Sequence, residues 1–310
     1  MKRVAIVGLG LIGGSFGLAV RRRSPDIEVV GVTRSGATAE AAVAREAVER
    51  ASTSLADIAG SDLVVLACPL GVQRQVLEDC VPHLAEGTRV TDVGSVKGEV
   101  VRHAHRVLDP GRNPFLGGHP MAGREVGGVE NAEASLFEDR VWVFTPMPAG
   151  WTSDPAVSIT NERAGVRGGY WPDAFGDLVD LVRNLGARPL SLSPETHDRY
   201  VALVSHLPFL MSSAILDAAA ASQSWEQAQW LASSGFRDVT RLAGGDPDMY
   251  TAIVAQNRDA VLDGIASLHG ALERIEAAIS RDEPGFLRDL LAEALETRRQ
   301  WLETAAPRDT

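Results

Sequence analysis

An α/β, Rossmann-type N-terminal domain followed by an all-helical C-terminal domain is what three features of this sequence predict. The apolar run Val4-Ala5-Ile6-Val7 leads directly into Gly8-Leu9-Gly10-Leu11-Ile12-Gly13-Gly14-Ser15 and then into helix-compatible residues 16–20. Strand-length apolar runs alternate with helical patterns as far as Val141-Trp142-Val143-Phe144-Thr145. Beyond residue 172 strands largely vanish and long helical runs take over. Alternation of the first kind builds a parallel sheet with helices on both faces, and a run of helices after it builds a separate layer.

The first strand and its turn form a G-x-G-x-x-G motif in the strand–turn–helix setting the motif requires. Gly8 permits the tight turn, Gly10 lets a pyrophosphate approach the backbone, and Gly13 allows close helix–strand packing. Phosphate oxygens are then expected at the helix N-terminus, at Leu11 and Ile12. The second strand, Glu28-Val29-Val30-Gly31-Val32, ends about twenty residues further on, where an acidic side chain would accept the ribose hydroxyls of NAD. Thr33-Arg34-Ser35 stands there instead. No carboxylate repels a 2′-phosphate, and Arg34 with its two neighbouring hydroxyls offers one a charge-assisted partner, so NADP is expected in preference to NAD. The competing reading of Arg34 is a solvated arginine at a strand end.

Residues 39–51 read as a helix rich in Ala, Glu and Arg. Leu63-Val64-Val65-Leu66-Ala67 is the third strand, and Pro69 turns the chain at its carboxyl end, where the backbone can pass over the cofactor. Residues 72–84 are helical, Arg89-Val90-Thr91-Asp92 is a strand with Val93-Gly94-Ser95-Val96-Lys97 as its loop, 100–107 are helical, and Phe115-Leu116-Gly117 leads to His119. The glycine turn, Thr33-Arg34, Pro69, Ser95, Lys97 and His119 thus fall at the carboxyl ends of successive strands, where open α/β sheets bind ligands. Residues 151–171 carry Gly, Ser, Pro and mixed charge without periodicity and read as a loop or linker. Residues 175–185 show helical spacing ending at Gly186, and 187–192 leave room for one short strand that returns to the sheet. The run 194–222 is apolar on more than one face, the buried centre of a helical domain or of its dimer. Helical patterns at 225–233, 248–269 and 271–304 complete the chain.

Composition narrows the function. With 310 residues, 45% of them hydrophobic and 23% charged, the chain suits a globular protein with two cores. A formal net charge of -11 argues against nucleic acid or an anionic membrane as partner and for a small molecule. The apolar run after Met1-Lys2-Arg3 is too short for a signal peptide, and no uninterrupted apolar run approaches the roughly 18 residues of a spanning helix, so a cytoplasmic location is expected. Cys68 and Cys80 lack CxxC spacing and a clustered histidine, so neither a disulfide framework nor a metal site is expected.

Five motifs carry a family resemblance: Gly8-Leu9-Gly10-Leu11-Ile12-Gly13-Gly14-Ser15, Asp92-Val93-Gly94-Ser95-Val96-Lys97, Gly118-His119-Pro120-Met121-Ala122-Gly123, Ser205-His206-Leu207-Pro208 and Ser234-Gly235-Phe236-Arg237-Asp238-Val239-Thr240-Arg241. Over nearly its whole length the sequence resembles the prephenate/arogenate dehydrogenase family. Many dehydrogenases share the first motif; the other four, in this order and spacing, are specific. The Thr33-Arg34-Ser35 stretch resembles the NADP-using arogenate dehydrogenases. The resemblance implies oxidation of a cyclohexadienyl ring at C4 with loss of the ring carboxylate, giving an aromatic phenol on the route to tyrosine, in a homodimer formed through the helical domain. The expected division is 1–150 for the dinucleotide-binding domain, 151–172 for the linker, and 173–310 for the helical substrate-binding and dimerisation domain.

Roles follow from the same motifs. His119 is the expected base, since imidazole is the side chain that is a neutral proton acceptor near pH 7, and an acid limb near its ordinary value of about 6.5 is expected. Ser95 matches the family serine that hydrogen-bonds both His119 and the substrate hydroxyl. Lys97 reads as a positioning residue or as a residue closing its own loop. Arg237 and Arg241, four apart, share a helix face and are expected to clamp a substrate carboxylate; the alternative is salt bridging to Asp238 or Asp246. His206 is implied in the substrate pocket, while His197 reads as a helix-start residue beside Pro194. The chain departs from many prephenate-specific members at Phe209, where they carry a second histidine, and this points toward arogenate. Three alternatives stand beside this reading. One is 4-amino-4-deoxyprephenate as substrate. Another is a β-hydroxyacid dehydrogenase, disfavoured because no lysine follows Lys97. The last is a non-catalytic NADP-binding regulator, which would need neither Ser95 nor His119.

Overall fold

The computed structural model describes residues 1–124, 126–146 and 172–305, so the expected linker at 151–171 lies outside the described residues. Eight strands, β1 (Arg3–Val7), β2 (Glu28–Val32), β3 (Arg50–Ser52), β4 (Leu63–Leu66), β5 (Arg89–Asp92), β6 (Phe115–Pro120), β7 (Val141–Thr145) and β8 (Arg188–Ser191), form one sheet in the order β3-β2-β1-β4-β5-β6-β7-β8. The first six are parallel, β7 returns antiparallel to β6, and β8 runs parallel to β7. Strand order reverses at β1, between β2 and β4, so the glycine turn after β1 stands at the topological switch point.

Both faces of the sheet are covered, which is why its strands read as unbroken apolar runs. In β1, Val4 and Ile6 belong to the core shared with Phe16, Val20 and Trp142, whereas Ala5 and Val7 belong to the opposite core with Val64, Leu77 and Val100. The covering helices are α1 (Leu11–Arg23), α2 (Gly36–Ala44), α3 (Leu70–Cys80), α4 (Gly98–Val107) and α5 (Gly176–Asn184).

The strand β3 replaces the end of the helix expected over 39–51. Helix α2 stops at Ala44, and Glu46 takes a left-handed φ of 59° that turns the chain into this three-residue edge strand. Strong helix formers hide an edge strand from propensity, because sheet pairing, not local preference, holds it. At the other end of the sheet the expected short strand is β8, paired with β7, so residues 173–191, assigned to the helical domain, contribute α5 and β8 to the sheet layer. Likewise, His119 lies within β6, paired opposite Val143, and not on a loop.

After the sheet come α6 (Pro194–Val201), a π-helical turn at Ala202–His206, α7 (Leu207–Ala220), α8 (Trp225–Ala228), α9 (Ser234–Thr240) and α10 (Pro247–Gln256). Pro208 has no N–H to give a preceding carbonyl, and the wider π turn just before it absorbs that defect without breaking the run. By length and composition the run Pro194–Ala220 is apolar enough to cross a membrane, which the sequence reading does not expect, although His206 and Pro208 interrupt it. Helix α10 ends at Gln256, capped by Asn257, where a single helix over 248–269 was expected.

Asp259–Thr310 is a unit by itself. It consists of α11 (Arg258–Ser280) and α12 (Pro284–Ala305). The break falls at Arg281-Asp282-Glu283, with Asp282 at φ 55° ahead of Pro284, and not at Gly270, which sits inside α11.

Gly118 is a position where the fold allows no side chain. A Cβ there would lie 2.6 Å from the Asp92 carbonyl oxygen and 3.1 Å from Trp142 Nε1. Gly118→Ala is expected to cost about 1–3 kcal/mol, read as a lowered denaturant midpoint. Gly10→Ala, with nothing within 4 Å of the added carbon, serves as the control and is expected to leave the midpoint near wild type.

Candidate active site

At the switch point the glycines divide their tasks as the motif requires. Gly8 takes φ +106°, and a Cβ there would meet the Ala67 carbonyl oxygen at 2.5 Å; a Cβ on Gly13 would come within 2.0 Å of the Gly8 carbonyl oxygen. Those two hold the turn against β4 and the helix against the turn. Gly10 faces open space and is the N-cap of α1, with no side chain capping the helix and no acidic residue in its first turn. The N–H groups of the Leu11, Ile12 and Gly13 turn are therefore available to an anion, which fits the pyrophosphate of a dinucleotide. At the end of β2, Arg34 is exposed, and Ser35 accepts from Thr38 N at 3.3 Å to cap α2, whose first turn also lacks acidic residues. Pro69 is the N-cap of α3. Beside it, burial pushes the Cys68 thiol up to about 12.

The loops after β5 and β6 are assembled around one carboxylate. Asp92 is fully buried, and its Oδ2 accepts from Gln73 Nε2 at 2.9 Å, from Gly94 N at 2.9 Å and from Lys97 Nζ, while Oδ1 accepts from Gly118 N at 3.0 Å. Lys97, also fully buried, donates from Nζ to the Gly118 carbonyl at 2.7 Å. Burial lowers the Lys97 pKa and the Asp92 carboxylate opposes that shift. The pair therefore fixes the backbone immediately before His119.

A second carboxylate joins this assembly from α6. Asp198 Oδ1 accepts from Lys97 N at 2.8 Å and Oδ2 from Gly98 N at 2.8 Å, so it caps α4 from another element. Its Oδ1 also lies 2.8 Å from His197 Nδ1, and His197 Nε2 lies 2.8 Å from His119 Nδ1. The two rings meet edge to face, 5.1 Å between centroids at 72°. Asn257 closes the cluster, donating from Nδ2 to the Asp198 carbonyl at 2.8 Å and approaching His206 Nδ1 at 3.2 Å. Burial holds His119 well below the ordinary imidazole range, and His197, Lys97 and His206 push the same way. Burial also lowers His197, against Asp198, and brings His206 to about 4. A dry cluster of neutral imidazoles beside a carboxylate is suited to accepting a proton.

Known proteins share this arrangement of domains. The nucleotide-binding domain of prephenate dehydrogenase matches residues 16–162, and the dimerisation domain of prephenate dehydrogenase matches residues 193–293. The chain is 32% identical to the crystal structure of Synechocystis arogenate dehydrogenase, with a TM-score of 0.78 over 96% of this chain and 99% of that one. The chain belongs to the prephenate/arogenate dehydrogenase family. It is 28% identical to the Aquifex aeolicus prephenate dehydrogenase solved with hydroxyphenyl propionate and NAD+, with a TM-score of 0.84 over 97% and 98% of the two chains. It is 29% identical to the prephenate dehydrogenase of Bacillus subtilis over 90% of this chain and 71% of that protein. The protein is thus an NAD(P)-dependent dehydrogenase with a Rossmann domain and a helical domain, and the reading as a non-catalytic regulator falls away.

Not every residue expected at the site of this dehydrogenase meets the others. Lys97, His119 and His206 are brought together with His197, Asp198 and Asn257. Ser95 is half-buried on the same loop, and the side chain paired with His119 Nδ1 is His197. Arg237, on α9, and Arg241, just after it, are exposed. His197 is the main omission. Read from sequence as a helix-start residue, it is 1% exposed and lies in contact with His119. Its signal was the adjacent His197-Asp198 pair, an imidazole beside a carboxylate at the start of an otherwise apolar run.

Folding keeps these histidines neutral, whereas the unfolded chain protonates them near pH 6.5. Between the folded and unfolded values the unfolded state binds more protons. Their contribution to stability is therefore complete above about 6.5 and is lost as pH falls toward the folded values. The melting temperature is expected to fall between pH 6.5 and 5, less steeply in His206→Asn, which keeps an acceptor for Asn257. A melting temperature flat across that window would show that the cluster is not held neutral.

Proposed function

We propose that the protein oxidises and decarboxylates arogenate, or its keto-acid counterpart prephenate, to tyrosine or 4-hydroxyphenylpyruvate, with NADP preferred over NAD, as a homodimer in the cytoplasm. The observation that carries this reading is a buried imidazole, His119, kept neutral at the carboxyl edge of the sheet that also bears the glycine turn. Oxidation at C4 needs a neutral group to take the C4 hydroxyl proton, and His119 is suited to that task. NADP, when bound, supplies the hydride acceptor. As the ring carboxylate leaves as carbon dioxide, its bonding electrons complete the aromatic ring, so the chain has chiefly to position and polarise. Ser95 is assigned to the substrate hydroxyl, and Lys97 to holding the backbone that carries His119.

Specificity rests on neighbouring features. Phe209 is buried and its ring stacks on Tyr250, 3.3 Å between centroids and 6° from parallel. An apolar wall where many prephenate-specific members have a histidine favours arogenate, the substrate named for the Synechocystis relative. Arg237 and Arg241 are assigned to a substrate carboxylate. The dimer reading is supported by the match to a dimerisation domain. It is supported also by the run Pro194–Ala220, of whose most apolar window only 28% is buried within one chain, and by Val204, Trp230 and Leu231 at 70%, 85% and 86% exposure.

Turnover of arogenate, prephenate and 4-amino-4-deoxyprephenate with NADP and NAD, followed by absorbance of the reduced cofactor, tests the reading directly. His119→Asn is expected to lower kcat by about 10²- to 10⁴-fold while leaving cofactor binding nearly unchanged. The acid limb of wild-type kcat should lie well below 6.5, contrary to the value inferred from an unperturbed imidazole, and should vanish in the Asn variant. Undiminished turnover by that variant would remove the base from the mechanism.

The cofactor preference has its own test. A charge-assisted pair between Arg34 and the 2′-phosphate is expected to favour NADP at least tenfold in kcat/KM, roughly 1.4 kcal/mol. Arg34→Asp should reverse the preference. An unchanged ratio would show that the phosphate is held elsewhere.

A further inference from the structure

Three side chains from two elements stand in line: His119 on β6, and on α6 His197 and Asp198, whose carboxylate also caps α4. The direction of each hydrogen bond in this line is forced from its far end. Asp198 takes the backbone N–H of Lys97 on Oδ1 and that of Gly98 on Oδ2, at the N-terminus of α4, so both of its oxygens are acceptors. An oxygen already accepting a backbone N–H is met by a donor, so His197 Nδ1, 2.8 Å from Oδ1, carries the proton. A neutral His197 then has its lone pair on Nε2. That nitrogen is 2.8 Å from His119 Nδ1, which must therefore be the donor. The lone pair of His119 is left on Nε2, the nitrogen turned away from His197.

We infer that His197 and Asp198 are positioning residues, which hold His119 in the one tautomer whose Nε2 is free to take a proton from substrate. The role assigned to that proton rests on the proposed function above; the tautomer does not. Without the line, a neutral imidazole divides itself between two tautomers, and one of them presents an N–H to the substrate hydroxyl. With it, the proton taken at Nε2 leaves Nδ1–H bonded to His197 Nε2, and the positive charge formed on His119 is one ring away from the Asp198 carboxylate. The other charged or titratable groups around His119 do not supply this. Lys97 is bound to Asp92 and Gly118, and His206 approaches Asn257.

The test uses the full-length protein and two variants. In histidine-labelled wild type, two-bond ¹H–¹⁵N correlation spectra near pH 7.5 are expected to show His119 protonated at Nδ1 alone. In His197→Ala the single tautomer should be lost, and kcat should fall at least thirtyfold with substrate KM and NADPH dissociation constant within threefold of wild type. In His197→Gln the amide oxygen replaces Nε2 as acceptor, and both the tautomer and most of kcat should return. If the Ala variant does not fold, wild type and His197→Gln decide. An Nε2-protonated His119 in wild type overturns the inference. So does a folded His197→Ala enzyme with kcat within threefold of wild type, or an equal loss of kcat in both variants. Wild-type protein inert toward arogenate and prephenate would instead count against the proposed function, while the spectra, which need no substrate, would still decide the tautomer.

Discussion

The buried Asp92–Lys97 pair is the interaction on which the rest of the site depends. One carboxylate gathers a glutamine from α3, a backbone N–H and an ammonium from its own loop, and a backbone N–H from β6. Neither partner has access to water. Removing one alone would strand a charge in the interior, a change worth about 3–5 kcal/mol in comparable pairs. Such a pair is a poor source of net stability, because desolvation offsets most of the attraction. What it supplies here is geometry. Lys97 holds the carbonyl, and Asp92 the N–H, of the residue just before His119.

That geometry explains the two glycines of β6. Gly117 has no room for a Cβ because Thr145 Oγ1 would lie 2.3 Å from it, and Gly118 has none because the Asp92 carbonyl oxygen is too near. The strand can approach β5 and β7 closely enough for one carboxylate to reach it only if both positions lack side chains. From the same loop the assembly extends to α6, since Lys97 N and Gly98 N are both bound by Asp198. A single helical turn after the sheet is thereby tied to the start of α4, and the histidine before Asp198 is delivered to His119.

Much of this was legible in the sequence. The glycine turn, the apolar strands ending at Val32, Leu66 and Asp92, and the placement of Ser95, Lys97 and His119 at the carboxyl edge follow from apolar runs and the residues that end them. Local patterns failed where the deciding contact was distant. Residues 50–52 look helical and are held as a strand by β2. By contrast, residues 187–192 read as a short strand returning to the sheet, and 188–191 complete it beside β7. His197 gives no periodic signal that tells a core histidine from a site histidine, because its partner is 78 positions away. Ser95 was expected beside His119 on the family resemblance, whereas the partner of His119 Nδ1 is His197, which no local pattern pairs with it.

The histidine cluster also sets the chemistry within limits. Burial weakens His119 as a base, and a base works best when its pKa is near the working pH. The same burial favours the neutral ring, the form the proposed proton transfer needs. In the proposed reaction the weakness costs little, because loss of carbon dioxide and gain of aromaticity pull the proton transfer forward. Orientation then becomes the quantity worth holding. A neutral imidazole has one donor and one acceptor, and three of them packed together are satisfied only if each bond runs in a fixed direction. Asp198 sets that direction for His197 and His119, and Asn257 sets it for His206. The residues that order the cluster lie on α6 and at the end of α10, whereas the proposed base lies on β6. In the proposed reaction the helical segment therefore contributes to the site as much as the sheet does.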